Sequence, residues 1–155
     1  MDQKWIYSDG GRSEYFKGTT GDCGPRAAAI VLEKDYKEVY DELNEIQSTW
    51  IEEKRNKVRN KEKWKHLFKQ DTSVRTGTWP EVMKEYMKRN GYEWVPTMKP
   101  GQGCKVHLNS EELPSGRILL SVSKHYTAMI DGVIYDTHDC SREGTRCVYG
   151  YFIKQ

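Results

Sequence analysis

The stretch Gly21-Asp22-Cys23-Gly24-Pro25 leads directly into the apolar run Ala27-Ala28-Ala29-Ile30-Val31-Leu32. Proline suits the first turn of a helix, and a run that is apolar on every side is typical of a buried helix. These residues therefore predict a helix that begins near Cys23 and lies in the core. The backbone N–H groups and the positive end of such a helix favour thiolate over thiol. The first functional prediction is a reactive Cys23 at the tip of a core helix.

Length and composition predict one domain over residues 1–155, with 36% hydrophobic and 31% charged residues. Five Trp and ten Tyr give this polar chain large groups to bury. A formal net charge of +2 gives no argument for nucleic acid, which is therefore not an expected partner. No apolar stretch is long enough to span a bilayer, and the first residues lack the pattern of a signal peptide. We therefore expect a cytoplasmic protein with no membrane partner.

The cysteines are expected to be thiols rather than disulfides in such a compartment. They stand at four positions: Cys23, Cys104, Cys140 and Cys147. The local pair Cys140–Cys147 is the one that could close. A zinc site could take its four ligands from Cys104-Lys105-Val106-His107, His138-Asp139-Cys140 and Cys147, but these lack the paired Cys-x-x-Cys spacing of structural zinc. We expect no metal and no cofactor.

The first helix is expected to run from about residue 25 to residue 46, because apolar side chains recur there at helical spacing. They are Leu32, Tyr36, Val39, Tyr40, Leu43 and Ile46. A charged helical insertion follows at about 47–75. Within it, segment 51–69 holds eight Lys or Arg against three Glu. Such a run is typical of a solvated helix face; the alternative is a docking surface for an acidic partner or for nucleic acid.

A second helix is predicted to begin at Thr78-Trp79-Pro80-Glu81 and to end at Asn90-Gly91, followed by a short strand over 92–97. The pattern then changes to β, with runs rich in Ile, Val, Leu and Tyr separated by turn residues. These runs are 117–122, 125–130, 133–136 and 147–153. Helices first and a sheet afterwards predict an α+β fold with a mostly antiparallel sheet.

Asp131-Gly132 between two β runs predicts a two-residue type I′ hairpin. That turn fixes the register, so that His125 and Asp136 share one face and lie within reach of a carboxylate–imidazole hydrogen bond. The same register places His138 on that face, next to the site. A three-residue turn would reverse the faces and bring Asp139 to His125 instead.

Cysteine, histidine and aspartate in this order predict nucleophilic catalysis. Cys23 would attack as thiolate, His125 would take and return the proton, and Asp136 would hold the orientation of the imidazole. The backbone N–H of Cys23 is the expected first donor to the oxyanion, and the preceding loop is the expected source of the second.

Residues 21–29 resemble the nucleophile segment of papain-like cysteine peptidases, especially the branch in which Asp-Cys-Gly-Pro is followed by small residues on a helix. Residues 123–136 are similar to the His strand, hairpin and Asp of that family. Small cysteine-protease-like proteins of bacteria and bacteriophages have the same order of a cysteine motif followed by a His strand and an Asp. The resemblance implies a papain-like fold, in which an N-terminal helix carries the cysteine and packs on the sheet. Residues 47–116 show no resemblance to this family.

One departure concerns the oxyanion donor. The family usually places a Gln a few residues before the cysteine, whereas Lys17-Gly18-Thr19-Thr20-Gly21-Asp22 contains no Gln or Asn. Thr19, Thr20 and Lys17 are the candidate donors, and Asp22 is adjacent to the site.

The resemblance implies a cysteine hydrolase that cleaves an amide, peptide or isopeptide bond in a protein or peptide substrate through a thioester. With an amine as acceptor it would be an acyltransferase. Two alternatives stay open: a catalytically weak papain-like binding module, and a basic inhibitor that binds a host factor through segment 51–69. Whichever of these functions holds, the expected location of the protein is the cytoplasm, and it is the host cytoplasm if a bacteriophage encodes the protein.

Overall fold

The computed structural model describes residues 3–18, 20–57 and 73–155, which form an α+β fold with three α-helices and one six-stranded sheet. The helices are α1 (Cys23–Leu32), α2 (Tyr36–Lys57) and α3 (Pro80–Arg89), and Arg12–Glu14 form a short 3-10 turn. The strands are β1 (Trp5–Tyr7), β2 (Tyr92–Pro96), β3 (Arg117–Val122), β4 (His125–Ile130), β5 (Val133–Asp136) and β6 (Val148–Lys154). The α+β class predicted from the sequence is confirmed.

The expected single helix over 25–46 is wrong, because the chain breaks between α1 and α2. Glu33 ends α1 in the left-handed conformation, with φ of 56°. The side chain of Asp35 then accepts the backbone N–H of Glu38 at 3.3 Å, which caps the start of α2. The Asp-x-x-Glu pattern is a helix-start signal that the apolar spacing concealed.

The sheet has the strand order β1-β5-β4-β3-β6-β2. Among the described strands, four pairings are antiparallel and the β1–β5 pairing is parallel. The prediction of a mostly antiparallel sheet is therefore confirmed, but strand β1 was not foreseen. Its three residues are all exposed, so they carry no alternation of apolar and polar side chains.

The β4–β5 hairpin has the predicted register, with Ile130 opposite Val133 and Ala128 opposite Tyr135. Asp131 and Gly132 both have positive φ, 47° and 82°, as a type I′ turn requires. The two-residue turn therefore keeps Asp136 on the face of β4 that carries His125.

Helix α1 packs against the centre of the sheet. Its buried residues Ala27, Ala28 and Ala29 form one core with Leu119 of β3 and Ala128 of β4. Small side chains let the helix approach the strands closely, and the apolar contact fixes its position. A second apolar cluster covers the other side of the sheet; it contains Leu108, Ile118, Leu120, Met129 and Ile134. The start of α1 is thus held rigidly beside β4.

Cys104 and Cys147 form a disulfide with their Cα atoms 5.8 Å apart. This corrects the expectation of four thiols and of a Cys140–Cys147 pair; Cys140 is a buried free thiol. The bond also removes two of the ligands that the zinc alternative needed. Disulfides are typical of oxidising compartments, so the pairing counts against a cytoplasmic location, which stays a prediction.

Among the described residues, no helix is long and apolar enough to cross a membrane. Residues 51–57 of the basic segment belong to α2, and the remainder of that segment lies outside the described residues. The single domain and its helical insertion therefore stay predictions.

Candidate active site

Cys23 is the first residue of α1, and its side chain is half-buried. Because α1 lies against β4, the backbone N–H of Tyr126 donates a hydrogen bond to the Cys23 sulfur at 3.4 Å. A thiolate gains from N–H donors and from the positive end of a helix. Two groups therefore stabilise a thiolate at Cys23: the start of α1 and the Tyr126 N–H. The sequence indicated only the first of them.

His125 begins β4 and Asp136 ends β5. Their side chains meet at 2.6 Å between Nε2 and Oδ2, with 11% and 6% of the two side chains exposed. The second carboxylate oxygen, Oδ1, accepts the backbone N–H of Thr137 at 2.7 Å. With both oxygens engaged, the carboxylate is fixed and orients the imidazole.

Electrostatics favour the charged forms of this pair. Burial by itself lowers the pKa of His125, but hydrogen bonds with Asp136, Cys140 and Cys23, together with the charge of Cys23, raise it to about 11. Burial raises the pKa of Asp136, whereas the hydrogen bond and charge of His125 outweigh it and leave this pKa below its ordinary value. These interactions favour the imidazolium form of His125 beside the Asp136 carboxylate.

Asp139, the alternative orienting acid, has Ser141 rather than His125 as its hydrogen-bond partner. Its carboxylate accepts hydrogen bonds from the backbone N–H and the hydroxyl of Ser141, at 3.0 and 2.7 Å. The exposed ring of His138 lies beside that of His125, with 5.2 Å between the ring centroids. The structure thus brings Cys23, His125 and Asp136 together, and it adds His138 at the rim.

Asp22 is fully buried just before the nucleophile, and its carboxylate is engaged away from the cleft. Arg12 Nε lies 2.8 Å from Oδ2, which also accepts the Tyr36 hydroxyl, and Arg26 Nε lies 3.3 Å from Oδ1. The same Arg26 side chain donates to Thr137 Oγ1 at 2.9 Å. Arg26 therefore links the start of α1 to the residue after Asp136, a role that spacing in sequence did not reveal.

The candidate oxyanion donors from the sequence are differently placed. The hydroxyl of Thr20 donates to the backbone carbonyl of Arg75 at 3.0 Å, so that proton is engaged. Thr19 lies outside the described residues. Thr78 faces Gly24 so closely that an added Cβ there would lie 2.6 Å from the Thr78 hydroxyl oxygen. Thr78, which the sequence did not single out, is therefore a hydroxyl close to the nucleophile.

Cys23 and His125 line an open cleft of about 580 Å³. Its walls include Thr20, Cys23, Thr78, Lys124, His125, Tyr126, His138 and Tyr149. A groove of about 670 Å³ lies between α2 and α3, but the described residues that line it include five glutamates and neither Cys nor His. The smaller cleft is the candidate active site because it holds a nucleophile and a base.

Cys140 is a further side chain of the site that the sequence did not assign to it. Its sulfur donates to Asp136 Oδ2 at 3.5 Å, and the residue is 3% exposed. The sequence held one signal for this contact. Alternate residues of an extended chain share a face, which would place Cys140 on the face that carries Asp136 and His138.

No protein-family model, curated protein or solved structure matches this chain. What the residues do therefore has to be inferred from the site itself.

Proposed function

We propose that the protein is a cysteine hydrolase with a papain-like arrangement, in which Cys23, His125 and Asp136 act on an amide, peptide or isopeptide bond. The observation that supports the proposal is that Cys23 of α1 and His125 of β4 line one cleft, and that Asp136 of β5 binds the His125 imidazole at 2.6 Å. An activated nucleophile, a base and a group that orients the base are the recurring parts of such sites.

The chemistry follows from the geometry. The Cys23 thiolate attacks the carbonyl carbon, and the oxyanion is stabilised by the Cys23 N–H at the start of α1. The His125 imidazolium then gives its proton to the leaving amine, which leaves a thioester on Cys23 and a neutral imidazole. The imidazole next takes a proton from water as the water attacks the thioester, so the acid is released and both groups return to their starting forms.

A catalytically weak binding module is the second candidate, and one observation favours it. Among the described residues that line the cleft, none is Gln or Asn, so no side-chain amide there stabilises the oxyanion. Loss of one oxyanion donor costs about 10²–10³ in kcat in a well-studied case. The hydroxyl of Thr78 is the replacement that the hydrolase proposal requires.

Both the hydrolase and the weak binding module keep an activated Cys23. Thiol labelling therefore tests first whether Cys23 is activated at all. Wild type is treated with iodoacetamide near neutral pH, and the modified cysteines are quantified by mass spectrometry. The hydrolase proposal expects labelling at Cys23 to be far faster than at the buried Cys140, which serves as the internal control. His125→Ala should slow the labelling of Cys23. Because Cys140 lies beside His125, its labelling in the same sample shows whether the substitution has opened the site. Equal rates at Cys23 in wild type and variant would overturn the proposal.

Turnover decides between enzyme and weak module. Hydrolysis of an activated ester is measured for wild type, Cys23→Ala and Thr78→Val, the last of which keeps the shape and loses the hydroxyl. A hydrolase shows multiple turnovers that need Cys23, and Thr78→Val lowers kcat with little change in KM. Stoichiometric labelling of Cys23 without turnover would identify the binding module.

A further inference from the structure

His125, Asp136 and Cys140 bring three metal-binding atoms together below the cleft. The imidazole nitrogen, the carboxylate oxygen and the sulfur all lie within 4.8 Å of one another. Imidazole, carboxylate and thiolate are the three side-chain ligands that zinc takes in proteins. Nothing in the proposed hydrolysis uses the Cys140 sulfur, so its place beside the base and its orienting acid needs another account.

We propose that His125, Asp136 and Cys140 bind a zinc ion, with His138 as the fourth ligand. Bond lengths of about 2.0–2.3 Å place the ligand atoms of a tetrahedral zinc ion roughly 3.3–3.8 Å apart. The Cys140 sulfur and Asp136 Oδ2 are already 3.5 Å apart. His125 Nε2 and Asp136 Oδ2 are 2.6 Å apart and have to separate by less than about 1 Å.

The surroundings suit an ion of this charge. Oδ1 of Asp136 is held by the Thr137 N–H, which leaves Oδ2 for the metal and fixes the orientation of the carboxylate. His138 lies outside the three clustered ligands: its exposed ring is 5.2 Å from that of His125, between centroids, and its side chain has to turn to reach the ion. On binding, the thiol of Cys140 and the imidazolium of His125 give one proton each to solvent, so that a thiolate and a neutral imidazole bind the ion. One carboxylate and one thiolate then neutralise the two positive charges of the ion.

Zinc at this place removes both the base and its orienting acid from the reaction. If the proposed hydrolase function holds, zinc is therefore a reversible inhibitor that acts without contacting Cys23. This consequence rests on the proposed function, whereas the zinc site itself does not.

The test is zinc binding by the full chain with its disulfide intact. Protein freed of metal by a chelator is titrated with zinc alone in a calorimeter. We expect one zinc ion per wild-type chain with a micromolar or tighter Kd, and the same result for Cys23→Ala, the matched removal of a thiol. Loss of a residue that only orients a ligand already costs about 10–100-fold in metal affinity, so Cys140→Ser, which loses a ligand, should weaken binding by about a hundredfold or more and His138→Ala by about tenfold or more.

Cobalt(II) gives a second readout that does not depend on how well Cys140→Ser folds. A thiolate–cobalt charge-transfer absorption should appear in wild type and in Cys23→Ala. Three results would each overturn the zinc site: no binding or absorption in wild type, equal zinc binding in a folded Cys140→Ser variant, or loss of binding in Cys23→Ala. Because Cys23→Ala has no hydrolase activity, its zinc binding is judged separately from the proposed function.

Discussion

Replacing Asp136 by Asn removes the charge that faces His125 and keeps the shape of the side chain. The pair is buried, with 11% and 6% of the two side chains exposed, so solvent screens it little. Breaking a buried pair by changing one partner costs about 3–5 kcal/mol. Asparagine still accepts the Thr137 N–H, and we therefore expect a loss near the lower end, about 3 kcal/mol in the free energy of unfolding.

The loss depends on pH in a direction that the two pKa shifts fix. The pKa of His125 is raised from 6.5 to about 11, so its contribution to stability is full below pH 6.5 and disappears as the pH rises through about 11. The pKa of Asp136 is lowered from 3.8, so its contribution is present above pH 3.8 and disappears as the pH falls further. The difference between wild type and Asp136→Asn should therefore be largest between pH 3.8 and pH 6.5.

Urea unfolding followed by tryptophan fluorescence across this pH range measures the difference. The variant His125→Ala and the double variant complete a cycle that isolates the coupling of the two side chains. A difference that stays constant with pH, or a coupling energy near zero, would refute the view that the two side chains form a charged pair.

Three further predictions concern stability. Gly24→Ala should cost about 1–3 kcal/mol in urea unfolding, because its Cβ would lie 2.6 Å from the Thr78 hydroxyl oxygen; Thr78→Ala in the same chain should recover part of the loss, and no recovery would contradict the contact. Changing Cys104 and Cys147 to Ser together opens a link across 43 residues and should lower the free energy of unfolding by about 3–4 kcal/mol; an unchanged thermal midpoint would count against the disulfide. Arg12→Leu leaves the buried Asp22 with one guanidinium fewer and should cost about 3 kcal/mol. Asp22→Leu added to it should recover only part of the loss, because Arg26 and Tyr36 then lose their acceptor; additive losses from the two substitutions would exclude the ion pair.

Local patterns predicted the sheet better than the helices. Asp131-Gly132 determined the β4–β5 turn, and the turn determined which face carries His125 and Asp136. The break at Glu33 was concealed, because apolar side chains keep helical spacing on both sides of it. A periodic pattern shows which face is buried, but it does not show whether one helix or two present that face.

Contacts between distant segments accounted for most of what the sequence did not reveal. Arg12 reaches Asp22 through a short turn, and Cys104 pairs with a cysteine that lies 43 residues later. Neither pairing follows from spacing, because the loop between the partners can take many paths. Cys140 was visible as a cysteine, but its contact with Asp136 depends on how the chain turns after β5.

The central claim is that Cys23 and His125 work as one unit, and trapping the acyl-enzyme tests it most directly. Wild type and His125→Ala are mixed with an activated ester, quenched in acid within seconds, and mapped by mass spectrometry. We predict an acyl group on Cys23 alone in wild type, formed much faster than in His125→Ala. An acyl group on another residue, or equal rates of acylation in the two proteins, would contradict the claim.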